Sequence, residues 1–372
     1  MTQTAVQAPT STGRLIGVDL ARGLAVFGMY AAHVGPDPSE GGVTGFVMEL
    51  VHGRSSALFA VLAGFSIVLI TGRAPKAGRA GRQAVAKVVV RAAILLAMGT
   101  ALTSSGAPVE VILAYYGLYF LLVLPLYRLG AGPLAMIAGG AALVFPQVLY
   151  LIQPMVDDES FLGDLLVTGN YPALTWIPFV LAGMAVARLD VADTAVRVRL
   201  ALTGAGLAAL GYGGSWLALH VFPSAATAIG DSTWGADAGS VWWSDLAGYP
   251  SDDTPAWLLA ASPHSETTLS IVGNTGVAIA VLTTCLTVAP RMRVLARPVI
   301  AVGSMSLTAY VLNIVGIQLL DANDVLPDSP LLVMFGFIAV AMVFATLWSH
   351  CFRRGPLEWL MARATGVTRY IR

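Results

Sequence analysis

The run Arg14-Leu-Ile-Gly-Val-Asp19-Leu-Ala-Arg22, continued by apolar residues to His33, places two opposite charges and an imidazole in a stretch otherwise suited to hydrocarbon. Asp19 and Arg22 are three apart, so they share a helical face and can pair, which makes both tolerable at depth. The pair either locks this segment into a bundle or serves as a substrate or proton site. His33 stands fourteen residues beyond Asp19, close to four turns, and therefore on the same face about 21 Å further along. An imidazole accepts or gives a proton near neutral pH, which makes it the natural acid–base group here. A second constellation follows at His52-Gly-Arg54, where the guanidinium balances Glu49 or Asp37, or holds an anion or a developing oxyanion near the two histidines. His264, in Ser262-Pro-His-Ser-Glu-Thr-Thr, opens another apolar run in a loop rich in hydrogen-bonding groups. Tyr310 and Asn313 make a late apolar run unusually polar, either as hydrogen-bond links between helices or as the lining of a cavity. No paired histidine spacing of a zinc site appears, so no metal is expected.

These residues need elements to carry them, and the composition says which. The chain has 372 residues, of which 56% are hydrophobic and 11% charged, with a mean hydropathy of +0.75. Soluble domains carry roughly 25% charged residues, so this chain cannot coat a globule of its own size. With 21 basic and 21 acidic residues there is no net field for nucleic acid. Cys285 and Cys351 offer no disulfide framework. The expectation is an all-α, polytopic membrane bundle of ten spans near 15–35, 52–71, 86–104, 109–127, 133–152, 172–187, 199–220, 267–288, 298–320 and 330–350. Residues 1–13 read as a disordered lead, 14–359 as a single membrane domain, and 360–372 as a basic tail.

Charge orients the bundle. With Arg14 cytoplasmic, 19 of the 21 basic residues fall on the inner side, and Arg22 and Arg54 are the exceptions. Of the acidic residues only Asp190, Asp193 and Glu358 are inside, Asp19 lies in the first span, and the other seventeen are outside. Both termini are then cytoplasmic in a multi-pass protein of the cell membrane, surrounded by lipid. The inner segment 73–91 packs six basic residues, either as an anchor on anionic lipid or as a docking rim for a phosphorylated donor. The outer segment 223–266 has six acidic residues and no basic one, with Trp234, Trp242, Trp243, Tyr249 and Trp257 forming an interfacial belt or a lid.

The segments Val18-Asp19-Leu-Ala-Arg22-Gly, Gly53-Arg54-Ser-Ser through Gly64-Phe-Ser, Gly303-Ser-Met-Ser-Leu-Thr-Ala-Tyr310 and Gly355-Pro-Leu-Glu-Trp359 resemble the YeiB-like bacterial membrane proteins. That group is similar to the heparan-alpha-glucosaminide N-acetyltransferase family of transmembrane acyltransferases. The resemblance implies transfer of an acyl group, acetyl above all, from cytoplasmic acyl-CoA as co-substrate to a carbohydrate or lipid-linked acceptor outside, with no permanently bound cofactor. Lysosomal members place a catalytic histidine between the first two spans, but Val34 to Val51 holds none here, and His33 and His52 bracket it. His33 is therefore expected as base or transient acyl carrier, His52 as its competitor, and Arg54 as the electrostatic stabiliser. A transporter or flippase using Asp19 and Arg22 is the alternative, a sensing protein without turnover a third, and a homodimer is compatible with all of them.

Overall fold

A computed structural model describes residues 15–74, 76–156, 160–232, 239–244, 254–321 and 329–371. The expected lead 1–13, together with Arg14, Trp234 and Tyr249, lies outside these. Among the described residues every regular element is helical. Helix α1 covers Ile16–Val34, α2 Gly42–Val51, α3 Arg54–Thr71, α4 Gly78–Ser104 and α5 Leu113–Val123. Next come α6 at Ala131–Ile152, the single turn α7 at Phe161–Gly163, α8 at Ala173–Arg188, α9 at Thr194–Val221 and α10 at Pro223–Ser232. The chain closes with α11 at Thr268–Val288, α12 at Arg297–Ser304, α13 at Ser306–Asp321, α14 at Pro330–Cys351 and α15 at Pro356–Thr365.

By length and apolar composition five helices can cross a bilayer, and eight crossings result if each of three bent pairs counts as one. These eight lie on eight of the ten segments expected from the sequence. The remaining two fall short for visible reasons: α1 is diluted by Asp19, Arg22 and His33, and Leu113–Leu126 is a shorter apolar helix.

Several local expectations are corrected. Residues 34–51 are not a plain loop, because α2 lies there with Val43, Phe46, Val47 and Leu50 exposed, an amphipathic segment suited to the interface. Helix α4 begins at Gly78, so Arg79, Arg82 and Lys87 sit on its first turns rather than in a loop. The ninth segment is not one rod: α12 and α13 meet at 85° about Met305, whose φ of −131° and ψ of 42° leave the helical region. The tail after 359 is also helical, through Thr365 and a 3-10 turn at Gly366–Tyr370.

Without a hydrophobic driving force inside lipid, helices associate where small residues let backbones approach. Gly64 on α3 faces the carbonyl of Val180, and Gly183 on α8 faces that of Val61, so any side chain at either would collide with backbone. Gly303 on α12 sits in the same way against the carbonyl of Asp19 and the amide of Gly23 on α1. One end of the bundle is tied by Arg188, which donates to the carbonyls of Leu129 at 3.1 Å, Gly72 at 2.7 Å and Arg73 at 2.5 Å, and to that of Tyr127. Arg73 pairs there with Asp190 at 3.6 Å. The basic connections thus gather at the end where α1 starts. At the opposite end the described residues of 223–266 form a cap, in which Ile229, Val241, Trp257 and Ala260 share a small core with Leu219 of α9. Trp257 is 1% exposed and donates from Nε1 to Ser232 at 3.1 Å, so this tryptophan belongs to a lid and not to an interfacial belt.

Candidate functional site

Helix α1 carries the sequence-derived residues as a ruler would. Near its start Asp19 is 4% exposed and accepts from Arg22 Nη1 at 3.2 Å. Arg22 also donates from Nη2 to Ser66 on α3 at 2.7 Å, so the pair bridges two helices. Arg22 lines a cavity of about 340 Å³ together with Arg91, Ser304, Ser306 and Glu358, and its deeper wall is Phe59, Tyr116, Phe120 and Tyr310. The Tyr116 hydroxyl is buried in that wall with no partner among the described residues.

The break between α12 and α13 shapes this cavity, and the closing motif holds the break. Glu358 accepts from the amides of Leu307 at 2.9 Å and Thr308 at 3.1 Å, and from the Thr308 hydroxyl at 2.6 Å. A carboxylate at a helix start meets the unpaired amides and the positive end of the helix dipole there. Gly355 leaves room for this, since a Cβ would strike Glu358 and Met305. Two motifs far apart in the chain are thus one structural unit.

At the other end of α1, His33 Nδ1 lies 2.9 Å from Asn313 Oδ1 on α13. An amide oxygen only accepts, so Nδ1 carries the proton and Nε2 keeps its lone pair. Tyr310 stands beside them, its ring centre 6.4 Å from that of His33, while its hydroxyl accepts from the amide of Ile112 at 3.1 Å. Tyr310 therefore joins the wall of the inner cavity to the histidine. Arg54 is 8% exposed and donates to the Tyr212 hydroxyl at 3.0 Å and to the carbonyls of Glu49 and Trp243, both at 2.7 Å. Its guanidinium also lies over the Tyr212 ring. These bonds pin the His52–Arg54 turn to the cap.

His264 belongs to a separate, polar cavity of about 460 Å³ with Tyr150, Gln153, Asn170, Trp257 and Glu266. Gly53, just before Arg54, packs against Pro263 and His264. His264 and Glu266 have φ values of 54° and 55°. Left-handed backbone at non-glycine residues costs about 1–3 kcal/mol each and persists where surroundings enforce it. Here Glu266 is held by Trp176 Nε1 at 3.0 Å and by the Thr175 hydroxyl, and His264 packs on the rings of Tyr171 and Trp176. Burial pushes the Glu266 carboxyl up to about 7, against the pull of these two donors. The preceding segment turns from α7 into a π-helix at Asp164–Thr168, which also lines this cavity.

The sequence had pointed to Asp19, Arg22, His33, His52, Arg54, His264, Tyr310 and Asn313, and the structure brings His33, Asn313 and Tyr310 together most closely. The sequence reading singled out neither Tyr116 nor Ser66 for a site, and it had Arg91 only as one of the six basic residues of 73–91; packing puts Tyr116, Ser66 and Arg91 on one cavity. Among the described residues no group of three or more His, Cys, Asp or Glu side chains converges as for a metal ion.

Two known families match the chain. One, described as heparan-alpha-glucosaminide N-acetyltransferase, catalytic, matches residues 14–215, which is more than half of the 372 residues. The other, described as protein of unknown function (DUF418), matches residues 246–368. No curated protein matches the chain. The hydrogen bond from His33 to Asn313 joins the two matched regions into one site.

Proposed function

The chain belongs to the heparan-alpha-glucosaminide N-acetyltransferase family, and from that premise we propose that it moves an acyl group across the cell membrane from a cytoplasmic acyl thioester to a carbohydrate or lipid-linked acceptor. The protein then has ten spans, the eight crossings above plus α1 and Leu113–Leu126, with both termini and the basic end cytoplasmic. Arg22 and Arg91 at the mouth of the inner cavity suit the anionic groups of acyl-CoA, and the aromatic wall suits its thin acyl-bearing arm. The Tyr116 hydroxyl is the donor placed to meet the thioester carbonyl as negative charge develops on its oxygen.

His33 is the base in this reading. The acceptor hydroxyl or amine gives its proton to Nε2 as its heteroatom bonds to the acyl carbon. The carbon–sulfur bond then breaks, and the imidazolium returns the proton to the departing thiolate. Asn313 fixes the tautomer that leaves Nε2 free to do this. His52 is the second candidate for the same proton. Arg54, with its donors committed to Tyr212, Glu49 and Trp243, positions the turn and contributes its field.

The observation that carries the reading is the His33–Asn313 pair standing beside Tyr310, which forms the deep wall of the arginine-bearing cavity. The test is reconstitution in sealed vesicles with labelled acetyl-CoA on one side and amino sugar on the other. Label is expected in the sugar only when the thioester faces the basic end. Solute flux with no thioester present, and no labelled sugar, overturns the reading in favour of transport.

A further inference from the structure

A third cavity, of about 500 Å³, lies between α13 and α14 and opens sideways. The two helices splay there: nothing lies within 4 Å of where a side chain at Gly336 would sit. Leu312, Leu332 and Val340 on its walls are 49%, 62% and 69% exposed, and in a membrane protein such faces meet hydrocarbon. Two polar side chains reach this groove, Tyr30 and Asn313. The Tyr30 hydroxyl is already committed to the carbonyl of Ala309 at 2.8 Å. Asn313 is 2% exposed, its Oδ1 is engaged by His33, and its Nδ2 is buried with no partner among the described residues. A buried donor left unmade costs about 1–3 kcal/mol, so an oxygen-bearing ligand at this point would be stabilised by taking it.

We propose that this groove seats the hydrocarbon chain of a lipid-linked acceptor, with the oxygen-bearing head at Asn313 and hence at His33. This selects the lipid-linked class among the acceptors of the proposed acyl transfer and rests on that reading. Depth supports the assignment. His33 is in the last turn of α1, so the head lies at the level where α1 ends. From Asn313 the groove runs eight residues back to the break at Met305, about 12 Å and within the roughly 15 Å of hydrocarbon in one leaflet, and it continues the other way past Gly316 to Leu320. A lipid of the leaflet facing the acidic end thus keeps its ordinary orientation. A water-soluble sugar would leave these apolar walls without a role.

The experiment uses the full chain in nanodiscs and a dodecyl monoglycoside carrying a photoactivatable group in mid-chain. Adducts are expected on 305–320 and 332–345, reduced about tenfold by excess unlabelled dodecyl glucoside and not by glucose. Gly336→Trp, which fills the groove, should lose the adducts to a similar extent, while Leu143→Trp on the exposed face of α6 should keep them. If Gly336→Trp does not fold, the competition arm alone decides. Adducts spread evenly over all lipid-facing helices would overturn the proposal, as would cross-links between α14 of two copies in a stable dimer. Labelling confined to the groove without any acyl transfer would overturn the transfer reading and leave the lipid site standing. Transfer to glucose as fast as to the dodecyl glucoside, without labelling, would do the reverse.

Discussion

The cavity that holds Arg22 and the cavity that holds His264 are built from different materials. The inner one carries the guanidinium groups of Arg22 and Arg91 with the carboxylate of Glu358, and most of its walls are aromatic and aliphatic. The outer one has amides, hydroxyls, His264 and Glu266, and no lysine or arginine among its lining residues. The inner charge is permanent, because a guanidinium does not lose its proton in a protein. The outer charge is conditional, because Glu266 sits near 7. A molecule that suits one chamber is repelled or left unpaired by the other. In the proposed transfer each carrier keeps to the chamber that suits it, whereas one solute moving through both would have to suit both.

The sharpest way to break this comparison is at His33, the base of the proposed reaction. General-base loss costs about 10²–10⁴-fold in rate, so His33→Ala should abolish measurable acyl transfer in vesicles while acyl-CoA still binds with wild-type affinity. Asn313→Ala should fall between, since Nε2 remains but its tautomer is no longer imposed. The readout is single-turnover transfer beside equilibrium donor binding. Near-wild-type transfer by His33→Ala, with loss in His52→Ala, would shift the proton to the other histidine. Full transfer in both would mean that the two chambers do not communicate through an imidazole.

A second effect separates the chambers by pH. Glu266 has its folded value raised from 4.5 to about 7 by burial, so the protonated form is favoured by folding. Its contribution to stability is complete below about pH 4.5, declines above that, and is gone once pH passes about 7. Between about pH 5 and pH 8 the expected loss is on the order of 2–3 kcal/mol. Glu266→Gln should flatten this slope in a thermal unfolding series and leave acyl-CoA binding unchanged at every pH, because the arginines of the inner cavity do not titrate there. A slope that persists in Glu266→Gln would assign it to another group.

How much of this was legible in the chain follows from what each signal measures. Hydropathy and the charge asymmetry read where apolar helices run, and the structure has helices on all ten expected segments. The break at Met305 escaped because Val-Gly-Ser-Met-Ser is compatible with a helix. Only Glu358, some fifty residues on, supplies the cap that makes a second helix start there. The Asp19–Arg22 pair and the face it shares with His33 were readable because a helix fixes what lies three or fourteen residues away. The partner of His33 was not, since Asn313 comes from another helix 280 residues on. Tyr116 carried no signal at all, being one tyrosine among several in an apolar run, and only its unpartnered hydroxyl in the cavity wall sets it apart. Glu266 stood in a segment marked for its hydrogen-bonding residues, yet its burial is a property of the packing of Trp176 and Thr175 around it.

The smallest expected effect tests whether the inner cavity depends on the closing motif. Glu358→Gln keeps the size of the side chain and one accepting oxygen, but it removes the charge that the amides of Leu307 and Thr308 now meet. Hydrogen bonds to a charged group are worth roughly 1–2 kcal/mol more than neutral ones at such a site, and part of that is regained by the remaining oxygen. A loss of about 1 kcal/mol in unfolding free energy is therefore expected, read as a small drop in the thermal midpoint in detergent. The same variant should weaken acyl-CoA binding, because Ser304, Ser306 and Glu358 line the cavity whose edge it holds. The pH slope attributed to Glu266 should be untouched, since the two carboxylates serve different chambers. If Glu358→Gln shifts that slope while donor binding stays at the wild-type level, the chambers are coupled through α13 and the division between them is wrong.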